Sequence, residues 1–287
     1  MEIGIVGAGR VGCSIGKYLK EHGAAVAGYY SKSRESVEFA ATFTNTAAFP
    51  SLGELVEAVS MIFITTPDDE IRPVWEKIAG QPIRGKIICH FSGSLSSVVF
   101  SGREQAGASG CSVHPMYAFS SKETSWQQLN QVLFTMEGDS HALDRVGLVL
   151  AQAGIRHFVI DSAKKERYHA AASMVSNMMI GLYQMSIDML QDCGFEEAAA
   201  RLLVEPLVRN NIENLLATSP EQALTGPIER NDVETVRKHL AVLTEEEREV
   251  YTSLAQKLVE TARRKNPDKE YGEILKVIEK PHGKENA

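Results

Sequence analysis

The chain has 287 residues, which at about 150 residues per domain suggests two domains. Its net charge of −7 disfavours partners that attract clustered Lys and Arg, so we expect neither nucleic acid nor an anionic membrane as a partner. Of the 22 glycines, 17 lie in the first 160 residues. We therefore predict a turn-rich domain at 1–160 and a helical domain at 161–287.

The cysteines and the N-terminus bear on the cellular compartment. The four cysteines form no CxxC pair and lie far apart in the sequence, at Cys13, Cys89, Cys111 and Cys193. This spacing predicts reduced thiols, with no metal site and no disulfide framework. Since a strand pattern begins at Glu2 without a basic and apolar leader, we also expect no signal peptide. These features predict a cytoplasmic protein.

A predicted βαβ unit opens the chain. Glu2–Val6 and Ala25–Tyr30 have the β-branched and aromatic composition of strands, and Cys13–His22 has helical spacing. A GxGxxG motif follows the first strand and reads Gly7-Ala8-Gly9-Arg10-Val11-Gly12. In such motifs the first glycine makes a tight turn, the second admits a pyrophosphate and the third lets the helix pack on the strand. The motif therefore predicts a dinucleotide site, with a turn that binds no phosphate as the alternative.

The end of the second strand distinguishes NADP from NAD. Chains that bind NAD place an acidic residue there, which bonds the ribose 2′-hydroxyl. This chain has Ser31-Lys32-Ser33-Arg34 instead, two hydroxyls and two cations that suit a 2′-phosphate. We therefore favour NADP(H), with a solvated basic turn as the alternative.

Three further predicted strands are each followed by a polar loop. They are Met61–Thr65 before Thr66-Pro67-Asp68, Lys86–Phe91 before Ser92-Gly93-Ser94, and Cys111–Val113 before His114-Pro115-Met116. Ligands bind outside the carboxyl ends of strands in open α/β sheets, so these loops are expected to face the cofactor. Two more strands, Gln131–Met136 and Ile155–Ile160, flank a predicted helix at Leu143–Ala153. The fold class is thus an α/β Rossmann domain with a mostly parallel, doubly wound sheet, followed by an all-α domain.

From Asp161 onward the pattern is helical. Helices are predicted at Lys164–Asp192, Glu196–Leu216, Asp232–Leu240, Glu245–Lys265 and Lys269–Glu279. Thr244, which precedes three glutamates, suits an N-cap. We expect the tail, Lys280–Ala287, to be disordered.

The segment Tyr168–Ile187 contains no Asp, Glu, Lys or Arg and is long enough to span a bilayer. Because several polar side chains interrupt it, we favour a helix buried inside the protein. Three of them, His169, Ser173 and Asn177, recur every four residues and form one polar stripe. The stripe either contacts a ligand or is satisfied within the core. The methionines of this helix suit a core or a dimer interface.

The segment GPIERND (226–232) is a turn between two predicted helices. Asp232 suits the N-cap of the second helix, and Arg230 suits a contact with a substrate carboxylate or phosphate. Both interpretations stay open at this point.

The chain resembles a family of NADP-dependent oxidoreductases that have a Rossmann domain and a helical C-terminal domain of unknown function. The resemblance rests on the motifs GAGRVG, SKSR, HFSGSLSS (90–97), SVHPM (112–116), YHAAASMVSN (168–177) and TGPIERNDVETVRKHL (225–240). This family is distantly similar to pyrroline-5-carboxylate reductase and to the 6-phosphogluconate and 3-hydroxyisobutyrate dehydrogenases. The resemblance implies a homodimer formed through the C-terminal helices and a substrate cleft between the domains.

The resemblance also implies roles for individual residues. It assigns the 2′-phosphate to Ser31, Lys32 and Ser33, the cofactor ribose to Thr65, Thr66 and Pro67, and the border of the nicotinamide to Ser92-Gly93 and His114-Pro115. The hydroxyacid dehydrogenases carry a lysine four residues before a helix asparagine, but the corresponding residue here is Ser173. His114 and His169 are therefore the candidate proton donors, since histidine titrates near neutral pH. The candidate substrate contacts are Ser92, Ser173, Asn177 and Arg230.

Taken together, these features predict an NADPH-dependent reductase that acts on a small polar C=O or C=N compound. An NADPH-binding sensor without turnover and an imine reductase similar to pyrroline-5-carboxylate reductase are the alternatives.

Overall fold

The computed structural model describes residues 1–279, so the predicted disordered tail lies outside the described residues. The chain forms two compact units, Met1–Met178 and Met179–Ala287. The predicted domain boundary after residue 160 falls inside the first of these units. As a result, His169 and Ser173 belong to the same unit as the GxGxxG motif.

The first unit contains an eight-stranded sheet with the order β3-β2-β1-β4-β5-β6-β7-β8. Its strands are β1 (Ile3–Val6), β2 (Val26–Tyr30), β3 (Ala47–Ala48), β4 (Met61–Ile64), β5 (Ile87–His90), β6 (Ser109–Pro115), β7 (Phe134–Gly138) and β8 (His157–Val159). Neighbouring strands are parallel except for β6 and β7. The order of the first six strands is that of the Rossmann fold, which confirms the predicted fold class.

The apolar strands are buried because both faces of the sheet are covered. Ile5 of β1 and Phe63 of β4 pack in one cluster, whereas Ile62 and Ile64 of β4 pack in another. This alternation follows the strand period of two, in which successive side chains point to opposite faces. The covering helices of the unit are α1 (Arg10–Glu21), α2 (Arg34–Thr44), α3 (Leu52–Ala58), α4 (Asp68–Ala79), α5 (Ser140–Gln152) and α6 (Lys165–Ser173).

Strand β6 is longer than the sequence predicts. Its antiparallel partner β7 pairs with it as far as Pro115, which lies opposite Phe134. His114 is therefore a strand residue opposite Thr135 rather than a loop residue. The strand fixes the direction of its side chain.

The second unit is helical throughout its described part. Its helices are α7 (Met179–Asp192), α8 (Glu197–Ala217), α9 (Pro220–Ala223), α10 (Pro227–Arg230), α11 (Val233–Val242), α12 (Glu245–Lys265) and α13 (Gly272–Glu279). Its main core joins α10 to α13 and includes Ile228, Val236, Val259 and Tyr271. As predicted, Thr244 caps α12, where it forms a reciprocal capping box with Glu247.

The uncharged segment Tyr168–Ile187 is helical but is not buried within the chain. Val175 is 72% exposed and Ile180 is 65% exposed, and the segment contributes Ile187 to a small cluster with α8. The expected burial of this helix inside the protein is therefore not provided by the described residues of the chain itself. Among residues 1–279, no helix is both long enough and apolar enough to cross a membrane.

Candidate cofactor groove and active site

The GxGxxG turn leaves room for a ligand at one position only. Gly7 has φ +111°, a conformation that favours glycine, and a Cβ on Gly12 would overlap the carbonyl oxygen of Gly7. At Gly9, by contrast, a Cβ would meet no atom of the described chain within 4 Å. Gly9 is also the N-cap residue of α1, whose first turn contains no acidic residue among the described positions. Free amides at such a terminus attract anions.

Two cavities adjoin this turn and share Gly9, Thr65, Thr66 and Pro67. The first has a volume of about 320 Å³ and extends toward Ser31 and Lys32 after β2. The second has a volume of about 430 Å³ and extends past Arg10 and Val11 toward Asp68, Phe91, Ser92 and Phe119. The shared residues make them one groove along the carboxyl ends of the strands, the cofactor groove.

The two threonines after β4 have different environments. Thr65 donates a hydrogen bond from Oγ1 to the carbonyl oxygen of Gly7 at 2.9 Å, which ties β4 to the glycine turn. Thr66 lines both cavities, and its buried Oγ1 has no hydrogen-bond partner within residues 1–279. A buried hydroxyl without a partner is costly, and a polar ligand in the groove would satisfy it. The residues of the groove thus fit a dinucleotide.

The four residues of the SKSR turn do not act together. Ser31 and Lys32 line the groove, whereas Ser33 caps α2 by accepting a hydrogen bond from the Ser36 amide. Arg34 pairs with Glu38 and its side chain is 92% exposed. Of the four residues predicted to hold a 2′-phosphate, two therefore line the groove and two do not, and the phosphate contact itself stays a prediction.

Three charged residues of the groove were not predicted from the sequence. Lys77 and Lys122 line the first cavity, together with Glu70, which pairs with Lys32 at 2.7 Å. Glu70, Val74 and Lys77 are spaced at i, i+4 and i+7 on α4, so the helical period could have revealed them once the start of α4 was placed at Asp68. The groove thus presents three ammonium groups and one carboxylate at this end.

The two predicted catalytic histidines lie together. A Cβ on Gly93 would lie 2.5 Å from His169 Cδ2 and 2.7 Å from His114 Nε2, so both imidazoles pack directly on this glycine. The ring centroids of the two histidines are 6.0 Å apart. Gly93 follows Ser92, a lining residue of the cofactor groove. Residues distant in sequence therefore converge beside the second cavity.

Tyr168 was not among the predicted site residues, but it lies against His114. Together His114, His169 and Tyr168 form the histidine cluster. The Tyr168 hydroxyl lies 2.9 Å from His114 Nδ1. Burial raises the pKa of the Tyr168 hydroxyl, so the phenol keeps its proton at neutral pH. Burial, Lys165 and His169 together lower the pKa of His114 to about 4. His114 is therefore neutral at pH 7, and the premise that it titrates near neutral pH is wrong.

Ser92 organises the loop after β5. Its Oγ donates to Asp68 Oδ2 at 2.8 Å and accepts hydrogen bonds from the amides of Ser94 and Leu95. Ser94 also donates to Asp68 Oδ2, at 2.6 Å. With these partners the Ser92 hydroxyl holds the loop in place, and Asp68 brings a carboxylate to the second cavity.

A buried lysine also adjoins this cluster. Lys165 of α6 is 1% exposed and donates a hydrogen bond from Nζ to Ser112 Oγ at 2.5 Å. The comparison with the hydroxyacid dehydrogenases predicts a lysine four residues before Asn177, but Lys165 stands four residues before His169. The same spacing, applied to the histidine, would have found it.

The predicted polar stripe is interrupted. His169 and Ser173 lie on α6, but a π-helical turn, Met174–Met178, follows and contains Asn177. His169 and Ser173 are partly buried, so the stripe changes both its helical repeat and its surroundings before Asn177. Asn177 is exposed.

Arg230 lies on α10 in the second unit and is exposed. Asp232 caps α11, since its Oδ1 accepts a hydrogen bond from the Thr235 amide at 3.1 Å. The substrate role of Arg230 stays a prediction. Within the described 279 residues, no three His, Cys, Asp or Glu side chains are grouped as metal ligands.

Family models match both parts of the chain. Residues 1–115 match a Rossmann-like domain, and residues 132–258 match a domain of unknown function (DUF2520). The chain combines a Rossmann-like domain with a DUF2520 domain. No curated protein matches its sequence.

Solved structures share the fold over most of their length. A protein from Thermotoga maritima is 25% identical with a TM-score of 0.73, over 91% of this chain and 98% of that chain. An imine reductase from Myxococcus stipitatus in complex with NADP⁺ is 17% identical with a TM-score of 0.61, over 98% and 100%. A pyrroline carboxylate reductase from Plasmodium falciparum with NADP bound is 14% identical with a TM-score of 0.55, over 96% and 98%. These similarities show that the chain shares the fold of these proteins.

Proposed function

We propose that this chain is an NADP(H)-dependent oxidoreductase that reduces a small polar compound at a C=N or C=O bond. The observation that carries the proposal is the cofactor groove, which runs from Ser31 and Lys32 past the open position of Gly9 to Ser92, beside the histidine cluster. The imine reductase and the pyrroline carboxylate reductase that share the fold, with NADP⁺ or NADP bound, support it.

The residues of the groove would hold the cofactor in sections. The turn Gly7–Gly12 and the Thr66 hydroxyl suit the pyrophosphate, and the ammonium groups of Lys32, Lys77 and Lys122 suit a 2′-phosphate at the other end of the first cavity. When bound, NADPH supplies a hydride to the carbon of the C=N or C=O bond. The protein then has to orient the substrate and provide a proton to the nitrogen or oxygen.

The hydrogen bond between Tyr168 and His114 gives the cluster a route for that proton. If the phenol donates to Nδ1, the neutral imidazole carries its proton on Nε2, the atom that packs on Gly93. His114 then gives the Nε2 proton to the substrate heteroatom and takes the Tyr168 proton at Nδ1, and the phenolate left on the partly exposed Tyr168 regains a proton from solvent before the next turnover. The imidazole remains neutral throughout, in agreement with its low pKa.

The second cavity is lined by one cation, Arg10, and one carboxylate, Asp68, and the carboxylate lies on the side of Ser92, where it suits C=N substrates. Asp68 lines this cavity, and its carboxylate complements a cationic iminium. A neutral His114 does not repel such a cation. An iminium already carries the proton on nitrogen, so its reduction needs only the hydride and an oriented site.

We propose in addition that the protein works as a homodimer formed through its C-terminal helices. The 21-residue helix α8 buries only Ala200 and Val204 within the chain, while Leu202, Leu207 and Leu216 are at least 60% exposed. An apolar surface of this kind is typical of an obligate interface.

Turnover tests the main proposal. Purified protein is mixed with NADPH and a panel of cyclic imines, aldehydes and keto acids, and the loss of NADPH absorbance is followed. We expect NADPH to bind more tightly than NADH and at least one cyclic imine to be reduced. Tight NADPH binding with no turnover of any compound would instead support the sensor, and absence of NADPH binding would exclude both functions.

A further inference from the structure

Lys165 has a position that its chemistry makes costly. Its side chain is 1% exposed, and its direct hydrogen-bond partner is the neutral hydroxyl of Ser112, which is itself fully buried. Lysines are almost never fully buried unless they are paired, because an ammonium group loses its hydration inside a protein. An apolar residue at this position would avoid that cost, so the ammonium group calls for a role in the surrounding site.

Geometry places the ammonium group beside the histidine cluster. Ser112 and His114 are two residues apart on β6 and so point to the same face of the sheet. Lys165 and Tyr168 are three residues apart on α6 and so share one face of the helix. Lys165 contacts Ser112, and Tyr168 contacts His114. One face of α6 therefore packs on one face of β6 through both contacts, which brings the ammonium group close to His114.

The Ser112 hydroxyl extends this contact to the loop after β5. Because its oxygen accepts from Lys165, its own proton is free to bond the carbonyl oxygen of Ser92, 3.4 Å away. Ser92 precedes Gly93, on which both imidazoles pack. Lys165 is thus connected to the loop that supports His114 and His169.

The charged groups around the ammonium come from several elements. Glu137 lies opposite Ser112 on β7, and Asp68 lies at the start of α4. Burial lowers the pKa of Lys165, and Glu137, Cys111 and Asp68 oppose that change. Toward His114, burial is the main cause of the lowered pKa, Lys165 and His169 lower it further, and Asp68 raises it.

We propose that Lys165 is a positioning residue of the reductase site, whose buried ammonium group anchors the loop after β5 through Ser112 and places a positive charge beside His114. This inference rests on the proposed function, since it explains how the same imidazole can pass a proton without becoming a cation. A neutral His114 also leaves the Tyr168 phenol free to donate to Nδ1. Loss of the Lys165 charge therefore raises the pH below which His114 becomes protonated and leaves the cofactor groove unchanged.

The test follows the titration of His114 by NMR of protein labelled in its histidine rings, without cofactor or substrate. In the wild type, the His114 signal should stay that of a neutral ring from about pH 8 to about pH 5, because its pKa is about 4. In Lys165→Met, the midpoint should rise by about one pH unit, since a nearby like charge shifts a pKa by about that amount or more. Lys165→Arg keeps the charge and should keep the low midpoint.

The matched control is Lys164→Met, which removes a neighbouring exposed lysine and should leave the midpoint of His114 unchanged. His114→Asn identifies the signal by its loss. An unchanged His114 midpoint in Lys165→Met would overturn the proposal. If that variant does not fold, Lys165→Gln replaces it, and an unchanged His114 midpoint in Lys165→Gln overturns the proposal in the same way.

Kinetics separate this inference from the proposed function. With a substrate in hand, Lys165→Met should reduce kcat about tenfold, leave the KM for NADPH unchanged and move the acid limb of the pH profile upward by the NMR shift. Lys165→Arg should restore most of kcat. If the His114 midpoint rises in Lys165→Met as expected but the wild type turns over no substrate, the proposed reductase function is overturned and the effect of Lys165 on His114 stands. If Lys165→Met is fully active and its His114 midpoint is unchanged, the role of Lys165 is overturned and the proposed reductase function stands.

Discussion

His114 Nδ1 and the Tyr168 hydroxyl are 2.9 Å apart, which joins the sixth strand of the sheet to the helix that follows its last strand. The two rings meet edge to face, with their centroids 5.6 Å apart. The imidazole is held neutral while the phenol keeps its proton, because burial lowers the pKa of His114 and raises that of Tyr168. The contact thus brings a proton donor and a neutral acceptor together at the end of the cofactor groove.

Loss of the Tyr168 hydroxyl tests this contact. Tyr168→Phe keeps the ring but removes the proton that the phenol would pass to His114, so carbonyl reduction should fall at least tenfold. Reduction of an iminium should fall less, because the substrate brings its own proton. The NADPH affinity of Tyr168→Phe, measured by titration, should stay at the wild-type value. His169→Ala should also lower turnover at least tenfold and leave the affinity for NADPH unchanged. Equal turnover by Tyr168→Phe and wild type on both substrate classes would remove Tyr168 from the mechanism.

Gly93 is expected to tolerate no side chain. In Gly93→Ala, the new methyl would overlap His169 and His114, and the displaced rings should cost about 1–3 kcal/mol of unfolding free energy. Turnover should fall more than NADPH affinity, because the groove itself is not obstructed. Chemical denaturation and steady-state kinetics measure the two effects.

The control for this substitution is Gly53→Ala on α3, where a Cβ would approach its neighbours no closer than 3.7 Å. This variant should be as stable as the wild type or slightly more stable, since alanine is the better helix former. Equal stability and turnover of Gly93→Ala and Gly53→Ala would contradict the packing of both imidazoles on Gly93.

The pair Lys32–Glu70 should set the preference for the 2′-phosphate. Lys32→Ala should weaken NADPH binding roughly threefold to tenfold and leave NADH binding unchanged, as expected for the loss of about 1 kcal/mol of a partly exposed ionic contact. Glu70→Gln removes a carboxylate from the same end of the groove and should strengthen NADPH binding. Lys20→Ala, on the last turn of α1, is the control. If Lys32→Ala weakened the binding of both cofactors equally, Lys32 would have no role in specificity.

Acid should destabilise the first unit through two histidines before its carboxylates titrate. The pKa of buried His90 and that of His114 are each about 4 in the folded chain, below the ordinary value of 6.5. The unfolded chain therefore binds protons at these sites first, so their stabilising effect is complete above about pH 6.5 and is lost as the pH falls toward about 4. The loss is at most about 3 kcal/mol for each histidine.

Urea unfolding at several pH values between about 7.5 and 5 measures this effect. His114→Asn should show a shallower decrease in unfolding free energy than the wild type, whereas His141→Asn, at an exposed site of α5, should show the wild-type decrease. A wild-type unfolding free energy that is constant over this range would contradict the neutral, buried state of both histidines.

The exposed leucines of α8 should form the dimer interface. Leu207→Glu places a charge on this surface and should convert a dimer into a folded monomer in sedimentation experiments at micromolar concentration. Leu148→Glu changes an exposed leucine of α5 and should leave the dimer intact. A monomeric wild type would contradict the proposed assembly.

The sequence predicts those features that depend on local patterns. The strands are recognisable because parallel strands with two covered faces are continuously apolar, and the phosphate turn because Gly7, Gly9 and Gly12 follow a strand and open a helix. The contact of Lys165 with Ser112 joins residues 53 positions apart, and no local pattern encodes it. Likewise, the full length of β6 depends on its pairing with β7, which decides that His114 is a strand residue.

Exposure of the long helices is the other feature that periodicity does not decide. The uncharged segment Tyr168–Ile187 has the composition of a buried helix, but burial against another chain and burial within the same chain leave the same composition. The π turn at Met174–Met178 is likewise a local change of the helical repeat that an even spacing of four does not reveal.

The most direct measurement is the transfer of deuterium from NADPH labelled at the reactive carbon of its nicotinamide. With a cyclic imine as substrate, the account predicts that the wild type places deuterium on the former C=N carbon and consumes one NADPH for each product. Because the His169 ring packs on Gly93 and so helps to shape the site that orients the substrate, it also predicts that His169→Ala binds NADPH normally and forms product at least tenfold more slowly. Full NADPH binding by the wild type without label in any product would contradict the assignment of this chain as an oxidoreductase.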